Sequence, residues 1–122
     1  MYFLSLDTAA KTATACVSVL DQAMVLKPLA RAAVNATLTH SESLLPMIDF
    51  CLENACLSFA DISVLAASVG PGSFTGVRIG VAALKGMAWA AGKPCAAVSS
   101  LEGMALLLSG CRGVIVAAMD AR

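Results

Sequence analysis

The stretch from Ile62 to Ala91 restricts this chain more than any other. An apolar run, Ile62 to Val69, has Asp61 before it and Gly70-Pro71-Gly72 after it, the pattern of a strand buried on both faces. The loop Gly70-Pro71-Gly72-Ser73-Phe74 then leads into Thr75, a residue suited to cap a helix, and the helical pattern runs to about Ala91. Gly92, Lys93 and Pro94 stop it. A buried strand turning directly into a long helix calls for a parallel neighbour beyond that helix, and Cys95 to Val98 supplies a short one. Inside the helix, Gly76, Gly80, Ala83 and Ala90 fall near one side and leave it nearly flat, open to close approach by another backbone. Gly80 and Gly86 each cost about 1 kcal/mol relative to alanine in a helix interior. Such a cost implies a packing need.

The rest of the chain fits around this unit. Tyr2 to Asp7 and Thr12 to Leu20 read as strands, and Asp21-Gln22 as the turn into a third, Ala23 to Leu29, whose Pro28 points to a sheet edge. From His40 the period changes: Leu44, Leu45, Ile48, Cys51, Leu52 and Ala55 recur at helical spacing, with Glu42, Asp49 and Glu53 mostly elsewhere on the wheel. Pro46 lies inside that pattern, so either Ser43 caps the start or the helix begins near Thr39 and kinks. Ser99 and Glu102 form a capping box for a helix through Leu108, ended by Gly110, and Val114 to Met119 reads as another buried strand. The order is β-β-β-α-β-α-β-α-β. The expected fold is α/β: a mixed five-stranded sheet of three antiparallel strands and then βαβ units, with helices on its faces and Val114 to Met119 closing the chain.

Composition narrows the function classes. Hydrophobic residues make up 59% and charged residues 13% of the 122, against about 25% charged in an average domain, which excludes intrinsic disorder. Eight basic and eight acidic residues cancel, so the chain has no field able to hold a nucleic-acid backbone, and no direct nucleic-acid binding by it alone is expected. Mean hydropathy is +0.84, yet charges interrupt each apolar stretch before the roughly 18 residues of a membrane span. The opening residues lack a basic signal segment, so a cytoplasmic location without a membrane is the expectation. Five scattered cysteines in aliphatic surroundings read as small buried hydrophobes rather than a disulfide framework or metal site. So few charges leave a single domain short of polar cover, which suggests a surface hidden by another chain or domain.

Three strands in a meander followed by alternating helices and strands is the layout of one lobe of the actin/hexokinase/Hsp70 superfamily. Within it, Asp7-Thr8, His40-Ser41-Glu42 with Leu44-Leu45-Pro46-Met47-Ile48, and above all Gly70-Pro71-Gly72-Ser73-Phe74-Thr75-Gly76-Val77-Arg78-Ile79-Gly80 resemble the TsaB (YeaZ) family. The similarity continues through Val98-Ser99-Ser100-Leu101 to Met119-Asp120-Ala121-Arg122. The resemblance implies an actin-like, ribonuclease H-like lobe spanning residues 1–122, with the family's second lobe absent from this chain. It also implies a part in making threonylcarbamoyladenosine, the modified base beside the anticodon of many transfer RNAs. In that family TsaB is a scaffold rather than the transferase: it resembles TsaD, pairs with it through helices of this lobe, and joins TsaE in the complex that TsaD uses. The expected partners are therefore a TsaD-like homologue and a TsaE-like ATPase, with a homodimer when the chain is alone. No cofactor is expected to be required by this chain, and ATP or ADP is expected only at an interface or in the full-length complex. TsaD uses paired histidines for its metal, and the single histidine here, His40, supplies neither that site nor a zinc peptidase.

Two sets of residues are candidates. Asp7 and Thr8 at a strand's carboxyl end, with Gly72 and Ser73 in the glycine-rich loop, could face a nucleotide, because ligands gather at strand ends and backbone N–H groups before a helix attract anions. The loop lacks the lysine of a Walker motif, and the plainer reading is a tight turn. His40, Leu44, Leu45, Ile48, Gly76, Gly80, Ala83 and Met87 form the second set, a helix-on-helix interface. Met47, Phe50 and Trp89 fall partly off the inward faces and add to it. Arg78 reads as a solvated surface residue, and none of Ser41, Ser43, Ser73, Ser99 and Ser100 stands out as a nucleophile. A non-catalytic subunit is thus expected, the rivals being a nucleotide-hydrolysing enzyme using Asp7 and the loop, or a glycoprotease-like peptidase.

Overall fold

The computed structural model describes residues 1–35 and 40–119. Strands β1 (Tyr2–Asp7), β2 (Thr12–Leu20) and β3 (Leu26–Asn35) are followed by helix α1 (His40–Asn54) and a 3-10 turn at Phe59–Asp61. Then come β4 (Ile62–Ser68), α2 (Phe74–Ala91), β5 (Cys95–Val98) and α3 (Ser100–Leu106). The five strands form one sheet in the order β3-β2-β1-β4-β5. β1, β2 and β3 are antiparallel, while β4 and β5 run parallel to β1. The mixed sheet expected from the sequence is therefore present.

Alternation along each strand sorts the side chains onto two faces. Leu4 and Leu6 of β1 stand beside Val17 and Ala15 of β2 and beside Leu65 and Ala67 of β4, all buried. Leu44, Met47, Ile48, Cys51 and Leu52 of α1 and Leu84 and Ala88 of α2 close over them. Ala13 and Ala15 are small enough to let α1 sit low on β2, where the Cys51 thiol donates to the Ala15 carbonyl at 3.4 Å. The opposite face carries Phe3, Ser5, Asp7, Cys16, Ala66 and Ser68, all half-buried, with α3 along its β4–β5 end. β4 is thus buried on one face and only partly covered on the other, where burial on both was expected.

Several boundaries move, each for a local reason. β3 occupies Leu26–Asn35 rather than Ala23 to Leu29 because the Asp21 carboxylate closes a wider turn: it accepts from the Ala23 and Val25 N–H groups at 2.9 and 3.0 Å and pairs with Lys27 at 2.7 Å. Pro28 lies on this edge strand, where the register shifts opposite Val17 and Ser18, so its missing N–H breaks no central ladder. α2 starts at Phe74 with Ser73 as its cap, ahead of Thr75. α1 already begins at His40, which places Pro46 in its second turn and Ser43 inside the helix; Thr39 lies outside the described residues. Ser99 stands at the cap of α3 but its side chain makes no cap bond there, and the helix ends at Leu106.

Val114 to Met119 forms no strand. Val114 is 94% exposed and Val116 81%, because strand-forming side chains order only against a neighbouring strand, and among the described residues none pairs with this segment.

Candidate functional site

The end of β1 and the glycine-rich turn meet, as the sequence suggested, but they meet to lock each other. Thr8 is buried, and its hydroxyl donates to the Gly76 carbonyl at 2.7 Å. The Ser73 N–H donates to the Ala9 carbonyl at 2.7 Å, and the Ser73 hydroxyl accepts from the Gly76 N–H at 3.2 Å. The Asp7 carboxylate accepts from the Ala9 N–H at 2.8 Å. Three glycines make this closeness possible: a Cβ on Gly72 would run into Ala9, one on Gly76 into the Thr8 carbonyl, and one on Gly80 into the Thr8 hydroxyl. Any side chain at these positions would push α2 off β1. Gly70, with φ of 96°, needs the left-handed conformation that glycine alone adopts freely.

Of the four residues considered for a nucleotide, Thr8 and Ser73 therefore spend their hydroxyls on the fold, and Gly72 admits Ala9. Asp7 remains beside a cleft of about 370 Å³ between the sheet's second face and α3, lined also by Ser5, Thr14, Ser68, Ser100 and Met104. The Ser68 and Ser100 hydroxyls bond each other at 2.7 Å across it. Among the described residues no group of His, Cys, Asp or Glu side chains is placed to hold a metal ion.

The helix-face candidates divide in the same way. Leu44 and Ile48 are core residues of the chain itself, and Gly76 and Gly80 are filled by Thr8. Ala83 and Met87 pack at the core's margin. The flat side of α2, expected to admit another chain's backbone, thus admits this chain's own β1, because Thr8 reaches up into it. Leu45 is exposed; His40 opens α1, and its side chain lies outside the described residues. Met47, expected partly off the inward face, is buried, whereas Phe50 is exposed as expected.

The outer surface of α2 is different in kind. Trp89 is 91% exposed and Phe74 70%, and Gly86 faces open space, with nothing within 4 Å of a Cβ built on it. Arg78 is exposed but not merely solvated: its guanidinium stacks 3.8 Å from the Phe74 ring centre. At the helix's far end Lys93 donates to the Ala60 and Ile62 carbonyls and lies over Phe59, an anchoring role the sequence did not reveal. Burial raises the thiol pKa of both Cys16 and Cys51, which disfavours the reactive thiolate. Hydrogen bonds from Lys27, Val25 and Ala23 lower that of Asp21, and those from Ser58 lower that of Asp61.

Comparison with known proteins places this geometry. The family model of TsaD, tRNA N6-adenosine threonylcarbamoyltransferase, matches residues 34–122. The tRNA threonylcarbamoyladenosine biosynthesis protein TsaB of Haemophilus influenzae is 42% identical over 86 residues, 69% of this chain and 36% of that protein. A tRNA N6-adenosine threonylcarbamoyltransferase of Erythrobacter litoralis is 44% identical over 71 residues, 58% of this chain and 21% of the relative. YeaZ from Pseudomonas aeruginosa superposes with a TM-score of 0.75 at 28% identity, covering 89% of this chain and 48% of that one. Thermus thermophilus RuvC shares the fold, with a TM-score of 0.59 at 17% identity, covering 99% of this chain and 86% of its own. The chain thus spans about a third of its TsaB relative and about half of the YeaZ structure.

The sheet order and the paired helices on one face define an α/β lobe of the actin-like, ribonuclease H-like class. Within that class the chain belongs to the TsaD family and is a member of its TsaB (YeaZ) group.

Proposed function

We propose that the chain is a non-catalytic docking subunit in tRNA threonylcarbamoyladenosine biosynthesis, binding a TsaD-like homologue through the outer surfaces of α1 and α2. The observation that carries this reading is the exposure of large apolar side chains on those helices: Leu45 and Phe50 on α1, Phe74 and Trp89 on α2. Leaving an aromatic residue in water forfeits about 1.5–3 kcal/mol that burial would return, and interface anchors are drawn from such large aromatic side chains. The same reading puts the chain in the cytoplasm, assigns it no cofactor of its own, and brings ATP or ADP in with a TsaE-like ATPase at the assembled complex. On it, the hydroxyls of Thr8 and Ser73 shape the lobe instead of touching substrate.

Capture by an immobilised TsaD homologue tests it. Leu45→Asp and Trp89→Asp are expected to leave the circular dichroism spectrum intact and to abolish capture. Metal-dependent ATP turnover by the isolated chain that disappears in Asp7→Ala would instead establish the enzyme reading.

A further inference from the structure

We infer that the outer edge of β3 receives an extended acidic segment of another protein as a sixth strand of the sheet. This surface is separate from the outer face of α2 and does not depend on the docking reading above. β3 ends the sheet, and among the described residues nothing pairs with its outer side. Exposed edges are ordinarily blunted by shortness, proline, lysine or a bulge. β5, the opposite edge, has only four residues. The first half of β3 has Lys27, Pro28 and a register shift opposite Val17 and Ser18. Residues 30–35 have no proline, no lysine and no shift, and run unguarded for about 20 Å.

A groove of about 620 Å³ lies along that unguarded half. Arg31, Ala32, Ala33 and Val34 line one side of it, and Pro46, Met47 and Phe50 of α1 the other. Ala32 and Val34 stand opposite the buried Ala15 and Ala13 and face α1, whereas Arg31 and Ala33 stand opposite Cys16 and Thr14 on the other face of the sheet. Consecutive residues from both faces of one strand border the same groove, so its floor is the strand edge, with its backbone N–H and C=O groups. An extended segment laid there gains main-chain hydrogen bonds, and its alternate side chains fall on the two faces. Those on the α1 side meet Pro46, Met47 and Phe50 and are therefore apolar. Those on the other side meet Arg31, which is exposed and has no carboxylate within 4 Å among the described residues; an acid suits that position. Glu42 stands at the α1 wall, away from the acid's side. A second copy's β3 does not suit the edge, because β3 carries Lys27 and Arg31 and no acid, and edge-to-edge pairing would set base near base.

The test is titration of the isotope-labelled chain, followed by nuclear magnetic resonance, with a blocked peptide in which valine alternates with glutamate. Amide shifts are expected at residues 30–35 and around Phe50, with slowed hydrogen exchange at alternate amides of residues 30–35. The same peptide with lysine in place of glutamate is expected to bind at least about tenfold more weakly. Arg31→Glu is expected to reverse that preference, and Arg31→Gln to remove it; both changes fall on an exposed side chain and leave Phe50, which the docking reading also uses, untouched. Methylating alternate amide nitrogens of the glutamate peptide is expected to abolish binding in one frame and spare it in the other, since only every second N–H of an added strand points at the edge. Equal binding of the two peptides, equal loss in both methylation frames, shifts confined to the outer face of α2, or no binding at all overturns the inference. Slowed exchange at residues 30–35 in concentrated protein without peptide would show a second copy on the edge and overturn the choice of occupant. None of these results alters capture by a TsaD homologue, so the two readings stand or fall separately.

Discussion

The two sides of α2 use glycine for opposite purposes. On the inner side Gly76 and Gly80 are occupied to the limit, their missing Cβ atoms replaced by the carbonyl and the hydroxyl of Thr8. On the outer side Gly86 has empty space above it and Trp89 one turn away stands in water. Both sides carry the same intrinsic penalty of about 1 kcal/mol per glycine, but only the inner one recovers it within the chain, through the closeness of α2 to β1 and the buried hydrogen bond that closeness permits. A small residue in a helix therefore reports close approach without saying whose backbone approaches, and the neighbouring side chains decide between the chain's own sheet and a partner.

The largest effect that could break this contrast lies on the inner side. Gly80→Leu should cost more than about 3 kcal/mol, because overpacking a tight contact typically costs 1–3 kcal/mol and here the added atoms meet a buried hydroxyl on the sheet. The thermal midpoint checks it, and a midpoint near the parent's would show the inner side to be looser than its geometry. Loss of assembly in this variant would follow from damage to the lobe and says nothing about docking.

A double-mutant cycle sharpens the comparison. Thr8→Ala alone should cost about 0.5–1.5 kcal/mol by removing the buried hydrogen bond from its hydroxyl to the Gly76 carbonyl. Combined with Gly80→Ala it should cost less than the two added together, with a coupling of about 0.5–3 kcal/mol, since removing the hydroxyl makes room for the new methyl group. Gly76→Ala should gain no such relief, because its obstacle is the Thr8 backbone carbonyl, which every residue at position 8 retains. Urea midpoints of the six proteins decide this, and equal relief at both positions would mean that α2 shifts as a body.

Which parts of this were legible in the sequence follows from how local their causes are. The short apolar run at Tyr2–Asp7, the helical period after His40 and the stop at Gly92 act within a few residues, and these elements stand where they were expected. β3 was displaced because the reach of the Asp21 side chain to Val25 N–H is invisible to residue propensity. Val114 to Met119 has the composition of a strand and lacks a ladder, a fact about neighbours rather than about itself. In the candidate site the meeting of Asp7-Thr8 with the glycine-rich turn could be anticipated from strand-end topology. That Thr8 fills the Gly76–Gly80 side could not, since it depends on a contact across 68 positions of sequence. The exposure of Phe50 and Trp89 could be read from the wheel, while the burial of Met47 beside them depends on how low α1 sits on Ala13 and Ala15.

The smallest expected effect is the most discriminating, because its sign depends on which side of the helix a glycine occupies. Gly86→Ala should raise stability by up to about 1 kcal/mol: the methyl group meets nothing in the chain, the backbone is ordinary helix, and alanine loses less conformational freedom on folding. The same change made at Gly76 or Gly80 destabilises, so one substitution at three positions of one helix gives both signs. A higher urea midpoint for Gly86→Ala accompanied by weaker docking would mean that the chain keeps, at this position, a residue that harms the isolated lobe and serves its contact with another. A lower midpoint would mean that the outer side is bound to the chain's own fold after all, and the contrast between the two sides of α2 would disappear.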